Sequence, residues 1–329
     1  MNRSLRWRVA LLASAAWLLP ATSSATGSNP PPFQQTTCSF SGMVDELRAA
    51  LKTGSPAYRK YVKARLKTAA RVMPADELIG AVQQERDPDV LEALGAALAD
   101  KSSFSEDSAL VQSLLTRASS DTDPALRAAS VRALRGIGSV DSIAKNGNVV
   151  TYEQLIRDSA PEVRQAVVEN LVHENAKVYF GHDKTVSETA VATALASKDP
   201  EAAAKLLSEV SMERVGHETV ERLRQQLRTD HPGLRAASAT ALGGVPGAEA
   251  GSTRQTLVEL YRTDKDPAVR KAALQGIARL GMGSAQSALE SLRGVAPGLD
   301  PEIDAWQSAL KLGLQEWHLL LREKERIRK

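Results

Sequence analysis

The chain has 329 residues, of which 43% are hydrophobic and 25% are charged, and it contains one cysteine. These values exclude a wholly disordered chain, an intramolecular disulfide framework and a thiolate-rich zinc site. Aromatic residues make up only 4%, whereas alanine is frequent. Cores of alanine, leucine and valine suit closely packed helices better than β-sandwiches. The composition therefore predicts an all-α protein.

Residues 1–25 have the pattern of a secretory signal peptide. Three arginines and no acidic residue precede an apolar run at residues 9–19, and small residues follow up to Ala25. A spanning helix needs about 20 apolar residues, so this shorter run favours a cleaved signal over a transmembrane anchor. Without these arginines, the formal charge of +3 falls to zero, and the basic composition gives no argument for a nucleic-acid partner. We expect a periplasmic or secreted protein with no transmembrane segment after cleavage.

Residues 26–40 are predicted to form a flexible linker. They contain three consecutive prolines and have no helical periodicity. Cys38 follows polar residues rather than the small apolar residues of a lipidation site, so lipid attachment is not expected. The cysteine is either a free thiol without a function, which we favour, or the site of an intermolecular disulfide. Residues 41–329 are predicted to form one helical domain.

A proline recurs along this domain at nearly constant spacing. The prolines are Pro56, Pro88, Pro124, Pro161, Pro200, Pro232, Pro267 and Pro301, and the mean interval is 35 residues. Several follow an aspartate. An aspartate N-cap accepts hydrogen bonds from the first helical amides, and proline suits the first helical position because its missing N–H has no helical partner there. Each of these prolines therefore predicts the start of a helix.

A second, shorter helix is predicted before each proline. Apolar residues spaced by three and four occur, for example, at residues 105–117, 218–228 and 252–262. The repeating unit is thus a short helix, a tight turn and a longer helix. Glycines are predicted to end helices in the left-handed conformation, as at Gly136, Gly138, Gly243 and Gly281. Because a repeat array needs polar ends, residues 313–329 are predicted to form a capping helix.

These units resemble the HEAT-repeat family over residues 43–310, in particular short bacterial units of the form Asp-Pro-x-Val-Arg-x-x-Ala. The resemblance implies an all-α fold, a right-handed α-solenoid of about eight HEAT-like helix pairs. It also implies an Arg–Asp ladder, in which the aspartate before each proline and the arginine three residues after it stack between neighbouring repeats. The candidate ladder residues are Asp87, Asp123, Asp266, Asp300, Arg59, Arg127, Arg164, Arg235 and Arg270. Leu91, Ala203 and Asp304 replace the arginine in three repeats, so interruptions are expected there, and Asp158 and Asp230 lie further from their prolines.

The predicted helix after Pro56 carries a concentration of basic residues. Its cations are Arg59, Lys60, Lys63, Arg65, Lys67 and Arg71, with no acidic residue between them. Four of them, from Arg59 to Arg71, are spaced by four and form one stripe opposite Tyr58, Val62 and Leu66. In a protein with no net charge this stripe suggests an anionic partner, and Lys63, Lys67 and Arg71 are the predicted partner-binding residues. The alternative is a solvated face on an end repeat.

No residue pattern predicts catalysis or a cofactor. His173-Glu174 and His217-Glu218 invite comparison with deoxyhypusine hydroxylase, a HEAT-like enzyme whose paired His-Glu motifs bind two irons. The two pairs occupy different positions in the repeat, so both histidines are predicted to be ordinary surface residues, and no metal is expected.

The predicted function is a non-catalytic protein–protein interaction scaffold that binds a protein or peptide through its concave helical face. The alternatives are a HEAT-like enzyme or enzyme accessory subunit, such as a lyase, and a binder of an anionic envelope polymer. A nucleic-acid partner is not expected.

Overall fold

The structure, a computed structural model, describes residues 39–101, 108–146, 150–177 and 184–328. The predicted signal peptide, most of the predicted linker and Cys38 lie outside these ranges. The described residues contain helices and no strand. The helices are α1 (Phe40–Thr53), α2 (Pro56–Val72), α3 (Ala75–Gln84), α4 (Pro88–Ala99), α5 (Ser108–Ser120), α6 (Pro124–Ala133), α7 (Ser139–Asn146), α8 (Tyr152–Leu155), α9 (Pro161–Lys177), α10 (Lys184–Ala196), α11 (Pro200–Glu209), α12 (His217–Gln226), α13 (Pro232–Leu242), α14 (Gly247–Thr263), α15 (Pro267–Gly281), α16 (Gln286–Glu290), α17 (Asp300–Leu310) and α18 (Trp317–Arg328).

Each repeat proline lies at the start of a helix, as predicted. We call these helices, α2, α4, α6, α9, α11, α13, α15 and α17, the B helices, and the helices that precede them the A helices. At α4, α6, α11 and α15 the aspartate before the proline caps its helix. For example, Asp87 Oδ1 accepts hydrogen bonds from the backbone N–H groups of Asp89 and Val90 at 3.1 and 3.3 Å. At α13 the imidazole of His231 has this role, accepting from Leu234 N–H at 3.3 Å.

The B helices stack in chain order, each against the next, from α2 to α17. The A helices pack against the B helices of their own repeats, and in the fourth repeat α7 and α8 stand in place of one A helix. Leucine, valine and alanine side chains form one core along the stack, together with the buried rings of Tyr152, Tyr261 and Trp306. The fold is therefore an all-α solenoid, as predicted. No described helix is long and apolar enough to cross a membrane.

The glycines at the helix ends have two different structural roles. Gly136 and Gly138 have φ angles of 80° and 74°, the left-handed conformation that glycine favours. Gly243 and Gly281 have φ angles of −63° and −99°, so the prediction of left-handed caps is wrong for these two. At Gly243 the reason for glycine is close packing instead, since a Cβ atom there would lie 2.7 Å from the Cα of Gly276 on α15.

The last helix, α18, packs against α17 at the C-terminal end of the described chain. The indole rings of Trp306 and Trp317 stack with centroids 5.5 Å apart. Lys324 is buried in this contact, where its ammonium group forms an ion pair with Glu302 and lies 5.0 Å from the ring centroid of Trp306. An apolar stack and a buried ion pair therefore hold α18 in place.

Candidate partner-binding surface

The first B helix, α2, carries basic residues and no acidic residue. It buries Val62, Leu66 and Ala70 against the rest of the solenoid. No B helix precedes it among the described residues, so much of its surface remains in contact with solvent. We define the basic face of α2 as the four cations that follow one stripe of this helix: Lys60, Lys63, Lys67 and Arg71.

Some basic residues of α2 form an ion pair with an acidic residue, and others do not. Lys67 Nζ contacts Asp100 Oδ2 at 2.7 Å, so the charge of this predicted binding residue is partly neutralised. Lys60, Lys63 and Arg71 are exposed and form no ion pair within the described part of the chain. Arg59 points away from the stripe, because its Nε donates to the Gly54 carbonyl at 2.9 Å. Lys60, three residues before Lys63, is the first cation of this face.

Two tyrosines are exposed on another side of the same helix. Tyr58 and Tyr61 are 40% and 57% exposed, and their ring centroids are 6.5 Å apart. Unlike Val62 and Leu66, which are buried, Tyr58 is exposed, and its hydroxyl donates to Glu46 Oε1 at 3.1 Å. Arg65 lies over the Tyr61 ring at 5.8 Å and also contacts Glu46 at 2.8 Å. The helix α2 thus exposes both unpaired cations and aromatic rings.

Away from α2, arginines link consecutive repeat turns in an Arg–Asp ladder. Arg127 donates from Nε and Nη2 to the two carboxylate oxygens of Asp158 at 3.0 and 2.9 Å, and from Nη1 to the Asp121 carbonyl at 2.9 Å. Arg235 contacts Asp264 in the same bidentate way at 2.6 and 3.1 Å. Each guanidinium thus joins the turn of its own repeat to the turn of the next, through charge-assisted hydrogen bonds.

Arg164 makes the corresponding contact with the next turn. Its Nη2 contacts Asp199 Oδ2 at 3.3 Å, and its Nη1 donates to the Asp158 carbonyl at 2.9 Å. Burial of Asp158 opposes its ionisation, but hydrogen bonds from Arg127 and from the backbone N–H of Ala160 lower its pKa below the ordinary value. The ladder therefore keeps its carboxylates ionised at neutral pH.

The predicted ladder aspartates have other roles. Asp87, Asp123 and Asp266 accept hydrogen bonds from the first amides of their own helices, so their assignment to the ladder is wrong. Asp300 lies inside α17 and accepts from Gly294 N–H at 3.0 Å. Each of these carboxylates is used within its own repeat, where the nearest free N–H groups are.

Two of the predicted ladder arginines also differ from the expected arrangement. Arg59 bonds only the turn before its own helix, as described above. Arg270 donates from Nε to the Asp264 carbonyl at 2.5 Å and lies 5.9 Å from the ring centroid of Tyr261, but no contact with an acid of the following repeat is seen in the described residues. The ladder therefore spans only part of the solenoid.

The acidic partners lie earlier in the turn than predicted. Asp158 and Asp264 each stand three residues before the repeat proline, and each also accepts from the backbone N–H two residues further on. Glu85 has the same position in the second repeat, where Arg48 of α1 contacts it at 2.8 Å. An acid recurs at this offset in the sequence and marks the ladder acid, which the aspartate directly before the proline does not. In the fifth repeat Asp199 is both N-cap and ladder acid.

Comparison with known families supports the repeat interpretation for part of the chain. Residues 220–311 match the family model described as HEAT repeats. This segment runs from within α12 to the end of α17 and includes the Arg235–Asp264 step of the ladder. No curated protein matches the chain.

Proposed function

We propose that this protein is a non-catalytic helical-repeat scaffold that binds an acidic protein. The partner lies along the inner face formed by the B helices and makes its main charged contact with the basic face of α2. The observation that carries this proposal is the group of exposed cations Lys60, Lys63 and Arg71, which have no ion pair in the described residues. HEAT repeats commonly serve as protein-binding scaffolds, in line with the family match.

The positive charge of α2 and its exposed aromatic ring both support an acidic protein as the partner. Three neighbouring cations on one rigid helix create a local positive potential that attracts a carboxylate-rich surface and accelerates its association. The exposed ring of Tyr61 on the same helix offers apolar contact area of the kind that anchors protein interfaces. A scaffold function also agrees with the ladder, where the carboxylates with lowered pKa values, such as Asp158, are engaged in joining repeats.

Export is part of this proposal and depends on residues 1–25. Cleavage after Ala25 would give a mature chain that begins at Thr26. N-terminal sequencing of the protein from its native cell tests this directly. A chain that retains Met1 in the membrane fraction would contradict both the cleavage and the periplasmic or secreted location.

The binding proposal is tested with a variant that removes three charges. Lys60, Lys63 and Arg71 are replaced by glutamine, and binding to a fluorescent poly-glutamate peptide is measured by anisotropy at low and high salt. We expect weaker binding than for the unmodified protein, with a smaller dependence on salt, because exposed charges are screened over about 10 Å at 0.1 M ionic strength. The helical circular dichroism signal should not change.

The matched control removes three exposed cations elsewhere. Arg222, Arg262 and Lys265 are exposed, have no ion pair in the described residues, and lie on or directly after A helices far along the chain from α2. If their replacement by glutamine weakens binding equally, net charge alone explains the effect and the basic face is not a site. Binding to anionic lipid vesicles but not to the peptide would contradict an acidic protein partner.

A further inference from the structure

A histidine and two glutamates converge where the A helices of two consecutive repeats meet. His217 and Glu221 lie on α12, and Glu249 lies in the first turn of α14. The Nδ1 atom of His217 is 2.7 Å from Glu249 Oε1. One potential ligand atom from each of the three residues lies within 4.8 Å of the others. The three side chains therefore meet at one point on the solenoid surface.

The spacing on α12 suits chelation of a single ion. Residues four positions apart lie on the same side of a helix, one turn above the other, so His217 and Glu221 are directed to the same place. Glu249 approaches from the neighbouring A helix and completes a set of one nitrogen and two oxygen donors. A mixed set of imidazole and carboxylate ligands is typical of zinc and related transition metals, whereas magnesium and calcium prefer oxygen ligands alone.

Arg224 orients both carboxylates and leaves part of each available. It contacts Glu221 through Oε1 and Glu249 through Oε2, the latter at 2.9 Å. Its Nη2 also lies 2.8 Å from Ser252 Oγ and 2.6 Å from Thr253 Oγ1, and its side chain is largely buried. The second oxygen of each glutamate is not engaged by Arg224. With a neutral imidazole, the two glutamates and this arginine leave one net negative charge, which favours a cation.

We propose that His217, Glu221 and Glu249 bind one divalent ion of the zinc class and that this ion clamps α12 to α14. Three protein ligands leave a fourth tetrahedral position for water. Because the ligands come from two consecutive repeats, bound metal stabilises the junction between them. The positive charge of Arg224 opposes binding of the ion, so the affinity is expected to be lower than that of the same three ligands without an arginine beside them. Binding weakens in acid, because imidazole binds metal only in its neutral form.

The test is calorimetric titration of the full chain with zinc chloride after removal of metal by a chelator. We expect one ion bound per chain at this site and a rise in the thermal unfolding temperature on addition of zinc. His217→Ala and Glu221→Gln should each weaken binding by at least about tenfold and abolish the thermal shift. The His217 side chain is 71% exposed, and Glu221 is half-buried, where glutamine keeps a carbonyl oxygen that can accept from Arg224, so the variants should fold normally. Magnesium chloride should produce no comparable response.

The chain provides a matched control in another exposed histidine beside a glutamate. His318 is 65% exposed and its Nδ1 lies 3.4 Å from Glu316, but no third ligand group gathers there in the described residues. His318→Ala should bind zinc like the unmodified protein. Three results would overturn the proposal: no binding at millimolar zinc, full binding by His217→Ala and Glu221→Gln, or binding that leaves the thermal unfolding temperature unchanged.

Discussion

Replacing Arg235 by alanine tests whether the ladder stabilises the solenoid. The guanidinium makes two hydrogen bonds to Asp264, at 2.6 and 3.1 Å, and two to the carbonyl oxygens of Thr229 and Asp230, at 2.9 and 3.1 Å. The side chains of Arg235 and Asp264 are only 16% and 6% exposed. The substitution therefore leaves a carboxylate that water reaches poorly, although Asp264 keeps a hydrogen bond from the Asp266 N–H at 2.8 Å.

The size of the effect follows from this environment. Removing one partner of a fully buried ion pair costs about 3–5 kcal/mol, whereas an exposed pair contributes about 0–1 kcal/mol. In the variant, Asp264 keeps one hydrogen bond, and water reaches the two carbonyl groups that Arg235 had bonded. The cost of removing Arg235 should therefore lie between the values for an exposed and a fully buried pair. We expect Arg235→Ala to lower the free energy of unfolding by about 2–3 kcal/mol.

Urea unfolding followed by far-UV circular dichroism measures this loss. Asp264→Asn removes the same ion pair from the other side, so the double variant should lose less stability than the two single variants added together. Arg262→Ala removes an exposed cation with no ion pair in the described residues and should change stability by less than about 0.5 kcal/mol. If Arg235→Ala loses no more than this control, the ladder arginine does not stabilise the junction.

Three other perturbations test different parts of the fold. In Gly276→Ala the new Cβ would lie 2.7 Å from Leu257 Cδ1, so urea unfolding should show a loss of about 1–3 kcal/mol, whereas Gly251→Ala, with no atom within 4 Å, should not destabilise. Lys101→Met removes a buried ammonium that donates to three carbonyls at the end of α2, and should lower the melting temperature through a loss of about 1–3 kcal/mol. Because the pKa of Asp158 is lowered in the folded state, its contribution is present above its ordinary pKa of about 4 and is lost as the pH falls through the lowered value. Asp158→Asn should therefore reduce the loss of stability measured between neutral and acidic pH, and an unchanged acid profile would contradict this.

Local signals in the sequence predicted the helices, because the forces that start a helix act over a few residues. The preference of proline for the first helical position and the capping hydrogen bonds of an aspartate such as Asp87 involve only residues of the same turn. The ladder acid cannot be identified from one turn alone, since Asp158 and Arg127 are 31 positions apart and their contact depends on how successive turns stack. Only comparison of several repeats shows the acid that recurs three residues before the proline. The same reason applies to the basic face of α2, where Lys67 is partnered by Asp100 from 33 positions away. Sequence reasoning located the charged surface, whereas only the structure separated its paired and unpaired cations.

The described Arg–Asp steps all have the same direction along the chain. In each, an earlier repeat supplies the arginine and the following repeat supplies the carboxylate, as in Arg127 with Asp158 and Arg235 with Asp264. A repeat of this type therefore contains an acceptor for the unit before it and a donor for the unit after it. Tandem duplication of such a unit would add an arginine and a matching carboxylate together. The array could therefore lengthen without separate complementary mutations in neighbouring repeats. Ala203 occupies the arginine position in α11, which still stacks against α13, so the stacking of two repeats does not require the ladder arginine.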